Sequence, residues 1–137
     1  MSRGLSNCNP GNIRRSKVNY KGEIHPSNDK DFKQFTSMKW GYRAMFILLD
    51  VYHRRYGLDT VRKMISRYAP PSENNTNGYI ARVSASSGIA KDCLLDTLSA
   101  EQMIPIVCAM SAVENGVTAD RATVERGWQW FVRDYDK

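Results

Sequence analysis

The residue with the clearest capacity for chemistry is Glu114, the only carboxylate at the end of the most apolar helical segment. A half-buried carboxyl in such a place is hard to ionise, because desolvation disfavours its charged form and the negative end of the helix dipole acts in the same direction. A group of this kind can donate a proton near neutral pH, which is general-acid chemistry. The alternative is a solvated glutamate in a frayed last turn.

A second carboxylate is needed across a cleft if the chemistry is that of a two-acid glycosidase. Four acidic residues could supply it, and the sequence does not rank them: Glu23, Asp29, Asp31 and Glu73. Glu73 lies in a segment rich in Asn and Thr, where an acid is more commonly a surface residue. The sequence therefore predicts one proton donor and leaves its partner open.

The opening segment, residues 3–14 (RGLSNCNPGNIR), is polar and offers little core of its own. Pro10 and Gly11 mark a turn, and three Asn side chains can hydrogen-bond the neighbouring backbone. The composition predicts a loop, neither helix nor regular strand, that places polar groups at a site. The alternative is a structural turn in which the Asn side chains cap the backbone.

Composition and charge describe a basic protein with an ordinary core. The 137 residues suit one domain, 1–137, and 42% of them are hydrophobic. A net charge of +6 with a pI near 9.4 favours anionic partners such as nucleic acid, lipid or a cell-wall polymer. The basic residues are dispersed and no nucleic-acid motif occurs, so nucleic acid is not expected as an obligatory partner. Their alternative role is solubility and interaction with helix C-termini.

Cysteine and histidine are too few for a metal centre. The three cysteines are widely spaced, which is typical of neither a disulfide framework nor a zinc site, and there are two histidines. We expect no metal and no cofactor. We also expect no transmembrane segment, since no apolar run approaches the roughly 20 residues that span a bilayer. Without a secretory signal, synthesis is expected in the bacterial cytoplasm.

Apolar residues recurring at three- and four-residue steps predict the helices that position these groups. Ser99–Gln102 has the pattern of a capping box at the start of the most apolar helix, with Pro105 in or near its first turn. Segment 18–24 predicts a short strand and 32–35 an extended chain. The fold class is therefore mainly α (α+β), with a small N-terminal lobe. The predicted helices run from Ser37 to Gly57, Asp59 to Pro70, Tyr79 to Gly88, Ser99 to Gly116 and across Ala122–Val132.

A set of ordered motifs extends over most of residues 3–116: Arg3-Gly4 with Asn9-Pro10-Gly11-Asn12-Ile13-Arg14, Phe32 with Phe35 and Ser37, Gly41-Tyr42-Arg43-Ala44, Tyr68-Ala69-Pro70-Pro71-Ser72-Glu73-Asn74 with Thr76 and Tyr79-Ile80, and Glu114-Asn115-Gly116. They resemble a family of phage and prophage proteins that are often labelled virion structural proteins. Some members of that family look like muralytic enzymes with a lysozyme-like fold.

A more distant similarity is to bacterial glucosaminidases and lytic transglycosylases of lysozyme-like fold. These place a catalytic glutamate at the end of a buried helix, upstream of Asn-rich, Phe-x-x-Tyr-x-Ser and Gly-Tyr-rich segments. Here Asn9–Arg14, Phe32–Ser37 and Asn75–Tyr79 match the later parts in order, and the helix with a terminal glutamate comes last, at 99–116. The resemblance implies a circularly permuted lysozyme-like domain in which Glu114 lies beside the Asn9–Arg14 loop.

The resemblance further implies that Glu114 protonates the glycosidic oxygen of the MurNAc–GlcNAc linkage in peptidoglycan glycan strands. Tyr42 would orient the glutamate, the alternative being a core residue. The side chains implied at the sugar cleft are Asn9, Asn12, Asn75, Thr76 and Tyr79. Two positions depart from the pattern: Cys8 stands where related openings often have Asn, and Val113 where several relatives have His.

Two classes of function follow. The first is a muramidase or lytic transglycosylase, and the lack of a firm second acid favours the transglycosylase, where one glutamate serves as acid and base; amide cleavage on the same fold also stays open. The second is a non-catalytic virion or wall-binding protein that keeps the fold. In either case a phage particle or a secretion machine would bring the protein to the periplasm or cell wall.

Overall fold

The computed structural model describes residues 1–135. Over this range the chain is mainly helical, as predicted, and strand pairing is limited to two isolated antiparallel bridges, Arg14 with Phe32 and Glu23 with Phe35. None of the helices in these residues is long and apolar enough to cross a membrane. The helices are α1 (Arg3–Ser6), α2 (Met38–Tyr56), α3 (Val61–Tyr68), α4 (Thr76–Ser87), α5 (Ala100–Asn115) and α6 (Arg121–Tyr135).

The opening segment differs from its prediction, because Arg3–Ser6 forms one helical turn instead of a loop. The Ser2 hydroxyl starts the turn by accepting a hydrogen bond from the Leu5 amide at 3.1 Å. Serine is among the best residues at this position, since its oxygen satisfies an amide that has no partner within the helix. The segment from Asn7 to Arg14 remains irregular.

The predicted strand over residues 18–24 does not form. The Glu23 amide donates to the Tyr20 carbonyl and closes a turn, and Gly22 has φ +84. Pairing is left to segment 31–36, whose backbone bonds residues 13 and 15 on one side and residues 22 and 24 on the other. This small lobe holds the opening segment in place.

Two helices begin at residues other than those predicted. The N-cap of α3 is Thr60 and not Asp59: the Thr60 hydroxyl accepts from the Lys63 amide, while the Asp59 carboxylate pairs with the Lys63 ammonium at 3.1 Å. Helix α4 begins at Thr76, three residues before Tyr79, because Asn75 caps it by accepting from the Gly78 amide. The polar loop before α4 is correspondingly shorter than expected.

Helix α5 is central, as predicted, and packs against α1, α2, α4 and α6. Ser99 is its N-cap, but the predicted capping box is absent, since the Ser99 side chain makes no capping bond. The Gln102 amide oxygen accepts instead from the Asp96 amide at 2.8 Å. Pro105 lies inside the helix, in its second turn and not its first.

Close backbone contacts fix the layers around α2. A side chain at Gly127 of α6 would meet the Tyr42 Cβ at 2.8 Å and the Arg43 amide nitrogen at 2.9 Å. On another face of α2, Gly41 lies against the Cys8 carbonyl and the Pro10 ring. The two tryptophans of α6 pack against α2: Trp128 against Phe46 and Trp130 against Trp40.

Candidate functional site

The opening segment is fastened to the C-terminal end of α5 by Asn115. The Asn115 amide donates to the Pro10 carbonyl at 2.8 Å and to the Ser111 carbonyl at 2.9 Å, and its oxygen accepts from the Ser2 hydroxyl at 2.7 Å. Gly116 follows in the left-handed conformation, with φ 72, and ends the helix. Residues more than 100 positions apart in the chain thus form one unit.

Glu114 is half-buried in this unit, and both of its carboxylate oxygens are hydrogen-bonded. Its Oε1 accepts from Asn12 Nδ2 at 2.8 Å, and its Oε2 accepts from the Tyr79 hydroxyl at 2.9 Å. The opening segment, α4 and α5 therefore converge on one carboxyl group. Hydrogen bonds to both oxygens fix the orientation of the carboxyl group.

Asn12 adopts an unusual backbone conformation to reach the glutamate. Its φ is 49, in the left-handed region, which Asn tolerates better than most residues. Its Oδ1 atom is buried without a hydrogen-bond partner and faces the backbone of Gly4, where an added Cβ would lie 2.9 Å from it. The amide is therefore used through its nitrogen alone, toward Glu114.

A groove of about 390 Å³ lies beside this carboxyl. The opening segment with Phe32 forms one wall, and the end of α3 with the connection to α4 forms the other. Aromatic and charged side chains both line it, which suits a polar ligand with flat apolar faces. Its polar, charged and aromatic lining residues are Asn12, Arg14, Phe32, Tyr52, Arg67, Tyr68, Glu73, Asn74 and Glu114.

Two phenols adjoin the carboxyl and remain protonated. Burial raises the pKa of Tyr79 above its ordinary value, and Tyr68 and Glu114 add to the shift. Burial, followed by the charge of Glu114, also raises the pKa of Tyr68 well above its ordinary value. Both hydroxyls consequently remain hydrogen-bond donors, Tyr79 to Glu114 and Tyr68 to the Gly11 carbonyl.

The structure brings Asn12, Tyr79 and Glu114 together, but it moves other predicted cleft residues away. Asn9 is fully buried, and its side chain bonds the Ile13 amide and the carbonyls of Ile13 and Lys33. Asn9 therefore shapes the opening segment and has no free group for a sugar. The expectation that it contacts a ligand is wrong because its polar atoms are needed by the backbone.

Tyr42, Asn75 and Thr76 also differ from expectation. Tyr42 is buried and its hydroxyl bonds Ser111 at 2.9 Å instead of Glu114, so it is a core residue, and Tyr79 takes the place foreseen for it. Thr76 is buried, and its hydroxyl donates to the Ala69 carbonyl. Asn75 is exposed, but its side-chain oxygen caps α4. Neither Asn75 nor Thr76 lines the groove beside Glu114.

Among the four candidates for a second acid, Glu73 is the one that lines the groove. It faces Arg14 at 3.6 Å, and both side chains are exposed. Glu23 is buried against Lys33 at 3.1 Å. Asp29 and Asp31 bind Arg3, at 2.6 and 3.1 Å. Hydrogen bonds from Arg3 and then Asn7 hold the pKa of Asp29 well below its usual range.

Three residues of the site were not foreseen from the sequence: Arg67, Tyr68 and Asn115. Tyr68 and Arg67 lie in an amphipathic helix, where periodicity predicts Tyr68 as a core residue and Arg67 as a surface residue. Asn115 directly follows Glu114 in the chain, so it had to lie near that residue. Its contacts with the opening segment, however, depend on the tertiary fold. Within residues 1–135 no group of three or more His, Cys, Asp or Glu residues could hold a metal ion.

Comparison with known proteins places the chain in a phage family. No family model matches it. Over 135 residues it is 33% identical to protein P5 of Pseudoalteromonas phage PM2, a match that covers 94% of this chain and 81% of that protein. The chain belongs to the protein P5 family. Membership of the protein P5 family agrees with the expected association with phage.

Proposed function

We propose that this protein cleaves the glycan strands of peptidoglycan, with Glu114 as the proton donor. The observation that carries the proposal is a single half-buried carboxyl, hydrogen-bonded on both oxygens and lying beside a groove lined by aromatic and polar side chains. Aromatic faces pack against sugar rings, and polar groups bind hydroxyl and N-acetyl groups. The substrate is the MurNAc–GlcNAc linkage.

In the proposed reaction the protonated Glu114 donates its proton to the glycosidic oxygen as the bond to MurNAc C1 breaks. Asn12 and Tyr79 then stabilise the carboxylate left behind, since both donate hydrogen bonds to it. In a transglycosylase the carboxylate takes a proton from the C6 hydroxyl of the same MurNAc, whose oxygen closes on C1 to give an anhydro-sugar. In a muramidase it takes the proton from water, which adds to C1.

We also propose a lysozyme-like fold with circularly permuted order. Its support is the contact between the Asn-rich opening segment and the end of an apolar helix that comes 102 residues later. In this arrangement the helix that ends in the glutamate follows the cleft segments in the chain while adjoining them in space. The prediction that the cleft is built around Glu114 and Asn12 follows from that contact.

A second candidate is a non-catalytic virion or wall-binding protein. The observation that favours it is that both oxygens of Glu114 are already hydrogen-bonded inside the protein. In that case Glu114 ties the opening segment and α4 to α5, and the groove binds glycan without cutting it. The relationship to a phage protein is compatible with both candidates. A phage particle or a secretion machine would deliver either of them to the periplasm or cell wall.

Mass spectrometry of digested peptidoglycan tests the proposal. Purified sacculi are incubated with the wild type, Glu114→Gln and Glu73→Gln, and thermal unfolding establishes that each variant is folded. We expect the wild type to release glycan fragments and Glu114→Gln to lose at least about 10²-fold in rate. Anhydro-sugar ends identify a transglycosylase, in which Glu73→Gln remains active; reducing ends identify a muramidase.

Two results would overturn the proposal. The first is the absence of soluble glycan fragments with folded wild-type protein, together with retention of the protein on sacculi, which establishes the non-catalytic candidate. The second is release of free stem peptides alone, which identifies amide cleavage.

A further inference from the structure

Arg67 is a charged residue of the groove that the proposed reaction does not use. It lies in the last turn of α3, and its guanidinium carbon is 4.0 Å from the ring centroid of Tyr56 and 5.3 Å from that of Tyr52. Both tyrosines belong to α2, so the guanidinium rests on a platform supplied by another helix. Such stacking restricts a long side chain and leaves the edge of the guanidinium free to donate hydrogen bonds.

The charge of Arg67 has no partner inside the groove. In the described part of the chain no carboxylate lies within the 4.0 Å that defines an ion pair with Arg67. The other charges are accounted for, because Arg14 faces Glu73 at 3.6 Å and Glu114 is held by the neutral groups of Asn12 and Tyr79. A cation that is stacked, unpaired and part of a groove wall is suited to an anionic ligand.

Another arginine of the same helix shows the contrast. Arg62 is exposed on α3, as Arg67 is, but it does not line the groove and it forms a two-bond contact with Asp92, at 2.7 and 2.9 Å. Proximity to the helix C-terminus gives Arg67 a favourable interaction with the dipole, but the dipole does not require the side chain to fold over two tyrosines toward the groove. Neither the helix dipole nor an ion pair accounts for this position of Arg67.

We propose that Arg67 forms an anion subsite of the groove and binds a carboxylate carried by the glycan strand. The inference rests on the proposed function in taking a peptidoglycan strand as the ligand of the groove. Peptidoglycan carries carboxylates on its peptide stems, and on the lactyl group of MurNAc wherever the stem has been removed, whereas chitin carries none. The planar guanidinium matches a carboxylate through two parallel hydrogen bonds. Arg67 thus selects peptidoglycan over neutral glycans and leaves the cutting step to Glu114.

Binding measurements test the subsite independently of cleavage. Calorimetric titrations use soluble glycan strands with peptide stems, the same strands after amidase removes the stems, and chitin oligosaccharides. We expect the wild type to prefer the carboxylate-bearing strands. Arg67→Gln should weaken their binding about tenfold, the loss of one charge-assisted contact, and leave chitin binding unchanged. Arg67→Lys should fall between the two, and the control Arg62→Gln should match the wild type.

In the stem-free strands the lactyl carboxyl is freed from its amide bond to the stem. A loss of Arg67-dependent affinity for these strands assigns the subsite to a stem carboxylate, and retention shows that the freed lactyl carboxylate also occupies it. Equal weakening of all three ligands by Arg67→Gln, or no wild-type preference for carboxylate-bearing strands, overturns the inference. Arg67-dependent binding without glycan cleavage overturns the proposed reaction and leaves the subsite intact, so the two failures are distinguishable.

Discussion

Asn12 and Glu114 are 102 positions apart in the chain, yet Asn12 Nδ2 lies 2.8 Å from Glu114 Oε1. The bond joins an irregular opening segment to the end of the central helix. Asn115 secures the same junction through the Pro10 carbonyl and the Ser2 hydroxyl. One wall of the groove thus depends on a few polar contacts between distant parts of the sequence.

The contact between Asn12 and Glu114 should be measurable as a coupling energy. We expect a double-mutant cycle of Asn12→Gly and Glu114→Gln, based on free energies of unfolding, to give a coupling energy of about 1.5 kcal/mol. This magnitude is typical of hydrogen bonds to charged groups. Glycine is used because the left-handed φ of Asn12 would strain other side chains. Urea unfolding provides the energies.

The control for this cycle pairs Asn12→Gly with Glu101→Gln, at an exposed acid in the first turn of the same helix. Those two changes should be additive. Additivity of the Asn12 and Glu114 changes as well would contradict the contact.

Asn9 is a scaffold residue, so its substitution should act on stability before ligand binding. Asn9→Ala leaves two buried backbone groups without partners, the Ile13 amide and the Lys33 carbonyl, and it removes one of the two hydrogen bonds to the Ile13 carbonyl. We expect a loss of about 2–4 kcal/mol in the free energy of unfolding. Asn28→Ala, at an exposed position of the same lobe, should change it by less than about 0.5 kcal/mol. A stable Asn9→Ala protein with impaired ligand binding would restore the original expectation for Asn9.

Gly127→Ala tests the close approach of α2 and α6. Helix propensity alone favours alanine by about 1 kcal/mol. The new Cβ would, however, lie 2.8 Å from the Tyr42 Cβ and 2.9 Å from the Arg43 amide nitrogen, so the helices must separate. We expect a net destabilisation of about 1–3 kcal/mol, seen as a lower Tm. The comparison is Ala122→Gly, an exposed site on α6 where propensity should dominate. A higher Tm for Gly127→Ala would show that the helices are further apart.

Alkaline pH should destabilise the protein through its buried phenols. Burial raises the pKa of Tyr20 to about 12 and raises the pKa of four more tyrosines, Tyr42, Tyr52, Tyr68 and Tyr79. An unfolded chain releases these protons near pH 10, roughly the pKa of a free tyrosine, while the folded chain keeps them. The stabilisation is therefore complete below that pH and is lost as the pH rises above it, by up to about 1.4 kcal/mol per phenol and pH unit.

Phenolate absorbance and circular dichroism, recorded on the same samples, check this prediction. The absorbance of the five buried phenols should appear together with loss of helical signal. Tyr79→Phe should reduce the slope of stability against pH. Ionisation of all the tyrosines while the helices persist would contradict the buried positions.

Where helices end could be predicted from the sequence, because glycine in the left-handed conformation is a local signal. Gly57, Gly88 and Gly116 have φ of 66, 74 and 72, and each ends a helix where predicted. The first residue of a helix was harder to predict from the sequence than the last. Asp59 and Thr60 are both good N-caps, and the choice between them is decided by the contact of Asp59 with Lys63.

The position of Glu114 at the end of α5 could be predicted from the sequence, whereas the directions of several side chains around it could not. Glu114 could be found because helix periodicity and Gly116 fix the end of α5. Asn9 and Asn12 are the same residue type three positions apart, but one points into the backbone and the other toward Glu114. Side-chain directions in irregular segments depend on what packs against them, and no local pattern records that. The position of Arg67 over two tyrosines of α2 could not be predicted for the same reason, because it depends on how α2 and α3 pack together.

The hydrogen bond between Ser2 and Asn115 joins two segments that are synthesised at different times, so it also determines when the groove can form. During synthesis the opening segment is made about a hundred residues before the helix end that it binds. A nascent chain that stops short of Glu114 lacks the carboxylate, and one that stops short of Asn115 lacks the hydrogen bonds that hold the opening segment. The groove therefore forms only after translation has passed Asn115.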